Sequence, residues 1–75
     1  MPRLPVVSGL QMIQALERAG WSRRRQKGSH VILTQPGRML TVSVPLHDEL
    51  DKGTLKGILH DADMNVQDLL RLLNR

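Results

Sequence analysis

Three features of this 75-residue chain predict an α+β two-layer sandwich, in which helices cover one face of a three-stranded antiparallel sheet. Apolar residues at helical spacing open and close the sequence, around Ile13 and Leu16 and again around Ile58 and Leu59. Between them lie β-branched stretches, His30 to Gln35 and Met39 to Val44, the second of which alternates apolar and polar. Turn residues at Gly20, Gly28 and Pro36-Gly37 divide these pieces. The resulting order is helix, three strands, helix and a short last helix. Such an order buries one face of a sheet under helices and leaves the other face free. The length allows one domain, residues 1–75, burying roughly 60% of the unfolded chain's surface.

The elements follow in turn. An extended lead-in from Pro2 to Val7 meets Ser8, a helix N-cap whose partner Gln11 stands where a capping box requires it. Val7 and Met12 are placed to staple that entry. The helix is expected from Gly9 to Ala19, with Leu10, Ile13 and Leu16 as its apolar set and Met12 and Ala19 beside them, and Gly20 ends it. Trp21, the only aromatic residue, is read as a core anchor because so small a domain has few large groups to fill its interior. This reading also disfavours RNA binding by aromatic stacking.

Ser22 to Gln26 is expected to be a short edge strand, with Arg23 and Arg25 pointing one way and Arg24 the other. Charges suit an exposed edge, where they discourage aggregation. In the next two strands Val31, Leu33, Leu40, Val42 and Val44 are expected on the buried side. Period two then sends His30 to the open side. Pro45 closes the third strand, and Leu46 to Lys52 is a polar connection carrying His47. Asp51 or Thr54 caps a helix with the apolar stripe Leu55, Ile58, Leu59 and Ala62. Asp63-Met64 interrupts it. Asn65 caps the last helix with Asp68 at its third position, and Met64 can staple onto Leu69. Leu69, Leu70, Leu72 and Leu73 form a broad apolar surface that either packs on the core or meets a protein partner.

Charge is unevenly distributed. Residues 1–44 hold seven cations against Glu17 alone, a balance of +6, whereas residues 45–75 hold four against six anions, a balance of −2. The asymmetry favours a polyanionic partner such as RNA or DNA. The chain has no cysteine, hence no disulfide and no thiolate chemistry, which suits a reducing compartment. The first residues are too short and proline-broken for a secretion signal, and no apolar run approaches membrane-spanning length, so a cytosolic location is expected.

Lys27-Gly28-Ser29-His30 is the stretch best equipped for phosphodiester chemistry. An imidazole moves protons near neutral pH, the lysine neutralises a phosphate, Ser29 can hold a phosphate oxygen, and Gly28 permits a turn and a close backbone approach. Arg23, Arg24 and Arg25 add counterion-release affinity. One histidine does not ideally make both proton transfers, and His47 is the candidate auxiliary group; its structural alternative is to fix the loop after Pro45 through its side chain. His60, beside Asp61 on a helix, reads as solvent-facing. No aspartate lies nearby to complete a Ser-His-Asp set around Ser29. Spacings typical of metal ligands are absent, so no metal or other cofactor is expected.

Ser8 with its apolar helix, Gly20-Trp21, Gln26-Lys27-Gly28-Ser29-His30, Pro36-Gly37, Val44-Pro45-Leu46-His47, Gly53-Thr54-Leu55 and Ile58-Leu59 together resemble the HicA family of mRNA interferase toxins. The resemblance covers nearly the whole chain in order. It implies a fold similar to double-stranded-RNA-binding domains, a metal-independent endoribonuclease with His30 as its catalytic residue, mRNA as substrate, and an antitoxin of the HicB type that covers the site. Two positions depart from the pattern. Many relatives carry a glycine where this chain has Asp63-Met64, and an aromatic residue or second histidine is frequent where Val31 follows His30. The same residues also suit two other functions, a non-catalytic RNA-binding module of the same fold and a protein-interaction partner acting through the leucine-rich tail.

Overall fold

A computed structural model of the chain describes residues 3–74. Met1, Arg75 and Pro2, the first residue of the expected lead-in, lie outside the described residues. The chain forms α1 (Gly9–Arg18), β1 (Ser22–Lys27), β2 (His30–Thr34), β3 (Val42–Pro45), α2 (Lys52–Asp61) and α3 (Val66–Leu73). The strands make one antiparallel sheet in the order β1-β2-β3, with β2 central. This is the expected α+β architecture, of the kind seen in double-stranded-RNA-binding domains.

Local chemistry sets the helix ends. Ser8 and Gln11 make the reciprocal capping box at α1, each side chain bonded to the other's backbone N–H. At the other end Trp21 N–H donates to Leu16 O and Gly20 N–H to Glu17 O, a Schellman closure. Asp51 caps α2 by accepting from Thr54 N–H at 2.7 Å. The end of α2 repeats the Schellman pattern, Met64 N–H to Leu59 O and Asp63 N–H to His60 O, with Asp63 at φ +56°. Asn65 and Asp68 form a second capping box at α3.

The core lies between the helices and one face of the sheet. Val31, Leu33, Val42 and Val44 from the sheet meet Met12, Ile13, Ala15 and Leu16 of α1, Leu55, Ile58 and Leu59 of α2, and Leu69 of α3. Trp21 is buried as expected, with the Arg38 guanidinium 5.8 Å from its ring centroid, a contact worth about 0.5–1 kcal/mol where exposed. Of the two fates open to the leucine-rich tail, packing prevails: Leu69 is buried, Leu72 and Leu73 pack against the core, and Arg18 donates to Leu72 O at 2.6 Å.

Three sequence expectations are corrected. Leu10 faces solvent at 54% exposure, and Met12 and Ala15 take its place in the core because the helix presents that face to the sheet. Met39 and Leu40 lie outside the third strand at 99% and 65% exposure. In the register that pairs Leu33 with Val42, Leu40 would need Gln35 as partner. There β2 has already ended in the Gln35–Arg38 turn, closed by Arg38 N–H on Gln35 O, and the Gln35 side chain is spent on Ala19 O. Finally, Arg23 and Arg25 do not share a face. Arg23 pairs with Leu33 but Arg25 with Ile32, so Arg24 is an extra residue in β1 and the alternation slips by one.

Candidate nucleic-acid interface

The Lys27–His30 segment is a tight hairpin. Lys27 ends β1, His30 begins β2 and the two are direct cross-strand partners, which sets their Cβ atoms about 5 Å apart on one face. Gly28 at φ +60° is the first of the two loop residues, the place where a type II′ hairpin turn demands glycine. A Cβ there would meet nothing within 4 Å, so turn geometry rather than crowding within the chain requires the glycine. The Gln26 side chain donates to Gly28 O at 3.0 Å and stiffens the turn.

His30 projects from the open face. Its neighbours Val31 and Leu33 are buried while His30 is exposed and Ile32 and Thr34 are half-buried, the alternation expected from the sequence. Every residue of β1 is exposed, which fits its edge position. The slip at Arg24 assigns the cations of that strand. Lys27 and Arg25, partners of His30 and Ile32, stand on the open face. Arg23, partner of the buried Leu33, is turned to the helix side, where its Nε lies 3.4 Å from Glu17 of α1. The open face thus presents Arg25, Lys27, His30 and Ile32 as a block, with Ser29 in the turn at its end. The slip was hidden in the sequence because Ser22 to Lys27 is polar throughout and offers no apolar marker of register.

The connection after β3 is held against this hairpin and against the entry to α1 through backbone bonds. Leu46 N–H donates to Ser29 O at 2.7 Å, Gly9 N–H donates to His47 O at 2.9 Å, and Leu50 N–H donates to Val7 O at 2.8 Å. The chain carrying His47 therefore runs beside the turn that carries Ser29. Its exposed side chain makes no hydrogen bond among the described residues, so the backbone, not the imidazole, secures the loop. Asp51 has its carboxyl lowered below the usual 3.8, chiefly by the Thr54 backbone N–H, then by the Thr54 hydroxyl, with His47 adding a smaller attraction. His60 is on α2, 90% exposed and 3.6 Å from Asp61, apart from the hairpin. Among the described residues no three His, Asp or Glu side chains gather closely enough to hold a metal ion, and no helix is long and apolar enough to cross a membrane.

The family model described as the HicA toxin of bacterial toxin-antitoxin systems matches residues 9–64. That span runs from the first residue of α1 to the turn after α2 and contains the hairpin, the arginine run and His47. Comparison with curated proteins finds no match.

Proposed function

This chain belongs to the HicA family of toxins of bacterial toxin–antitoxin systems, and we propose that it acts as an endoribonuclease on mRNA with His30 as its catalytic residue. As a toxin of such a pair it has a cognate antitoxin; the proposal makes that partner a protein of the HicB type, and the cytoplasm the place of action. The observation that carries the reading is the exposed His30 on the uncovered sheet face, directly opposite Lys27, on a strand whose next residue is buried.

RNA brings its own nucleophile, the 2′-hydroxyl. The protein has to take the proton from that oxygen, neutralise the phosphate it attacks, and let the 5′-oxygen leave with a proton. His30 serves as general base for the first step, and the leaving oxygen takes its proton from a second donor. A well-placed histidine contributes on the order of 10²- to 10⁴-fold. Lys27 beside it offsets the charge on the phosphate oxygens, and the Ser29 hydroxyl at the turn donates to one of them. His47, on the loop tied to Ser29, is the auxiliary candidate for the second proton transfer. The remaining positive charge of β1 adds sequence-independent affinity by counterion release.

The test is RNA cleavage by the pure protein in EDTA. Wild type is expected to cut and His30→Ala to lose at least about 10²-fold in rate. Equal rates in the two proteins would remove His30 from the chemistry. Tight RNA binding with no cleavage by either would identify a non-catalytic binding module instead.

A further inference from the structure

The open sheet face has a finer order than a patch of positive charge. Two residues along a strand span about 6.6 Å, so Arg25 and Lys27 stand that far apart on the outer edge. His30 and Ile32 stand equally far apart on the central strand, each opposite one cation. The outer row is cationic. The inner row is an imidazole and a half-buried aliphatic side chain.

We propose that this block is a track for single-stranded RNA in which Arg25 holds the phosphate next to the one at Lys27 while Ile32 seats a base. The inference rests on the ribonuclease reading above and names its substrate class and a further binding residue. The spacing of the two cations is of the order of one step along an extended polynucleotide, which sets successive phosphates along the edge strand. Bases and sugars then turn inward over β2, one ribose at His30 and one base face on Ile32. An aliphatic seat accepts a base only if its face is free, and in a duplex it is stacked away. Contact of this kind carries little base discrimination, so selection acts on strandedness more than on sequence.

Arg25 is singled out from the triplet by the bulge. Arg23 is turned to the helix side and engaged by Glu17, and Arg24 is the unpaired extra residue. Arg25 makes no ion pair or side-chain hydrogen bond among the described residues, so its five N–H donors are free for a phosphate.

The experiment uses full-length protein carrying His30→Ala, so that RNA is bound but not cut, and an unstructured RNA oligonucleotide, alone and annealed to its complement. Affinity is measured from 50 to 200 mM salt. Adding Arg25→Ala is expected to reduce the slope of log K against log salt by about 0.7, so that affinity falls about 2.6-fold less over that range. Arg23→Ala is expected to leave the slope unchanged, and Arg25→Lys to restore it. The single strand is expected to bind more tightly than the duplex. Equal slope changes for Arg23→Ala and Arg25→Ala, or a duplex bound as tightly as the single strand, would overturn the inference while leaving His30 catalysis standing. A folded His30→Ala protein that binds neither RNA would overturn the open-face reading itself and this inference with it.

Discussion

Replacing Gly9 by alanine tests how the helix layer positions the hairpin. A Cβ at residue 9 would stand 2.1 Å from Pro45 O, against about 3.4 Å where ordinary contact begins, so α1 and the end of β3 would have to separate by about 1.3 Å. Overpacking of this kind costs about 1–3 kcal/mol. The movement also strains two backbone bonds at the same junction, Gly9 N–H to His47 O and Leu46 N–H to Ser29 O, each worth about 0.5–1.5 kcal/mol. Alanine recovers up to about 1 kcal/mol as the better helix former. The net loss centres on about 3 kcal/mol, a large share of the stability of a domain this size. With a urea m-value near 1 kcal/mol/M, the midpoint should fall by about 3 M with m unchanged. Gly57→Ala is the control, because a Cβ there meets nothing within 4 Å; it should raise the midpoint by up to about 1 M. A Gly9→Ala protein as stable as wild type would refute the argument that this close approach holds the β3 connection, and so Ser29, in place.

Two further stability predictions follow from the α2 termini. Asp63 sits at φ +56° in the Schellman closure, and its one ion pair among the described residues, with Arg38 at 3.5 Å, is exposed. Asp63→Gly should therefore raise Tm by a few degrees and Asp63→Val lower it, as thermal unfolding would show; a drop in Tm with glycine would contradict the backbone-strain account. Asp51 titrates below its unfolded value of 3.8, chiefly through the Thr54 N–H. Its contribution is thus complete above that pH and is lost as pH falls through the lower folded value. Asp51→Asn keeps a capping oxygen without a charge, so urea melts at falling pH should show wild type losing more stability than the variant below pH 3.8; parallel losses would remove Asp51 from the acid response.

Much of the architecture was legible because the signals were local. Ser8 with Gln11 and Asn65 with Asp68 form the capping boxes that their spacing predicts, Trp21 is buried, and alternation along β2 places His30 on the open face. Leu10 and Leu40 misled for a common reason. Periodicity names residues able to face the core, but the packing angle of α1 and the early end of β2 decide which of them reach it.

The sequence by itself determined the class of fold, the order of its elements and the hairpin that carries His30, since capping, turn chemistry and alternation act over a few neighbouring residues. The tertiary structure alone decided which arginine of the triplet shares the open face with His30, how closely Gly9 meets Pro45, and that the His47 loop runs beside Ser29. These are matters of strand register and of contact between distant segments. An all-polar strand carries no mark of its own pairing, and a single glycine does not announce the backbone that will pack against it.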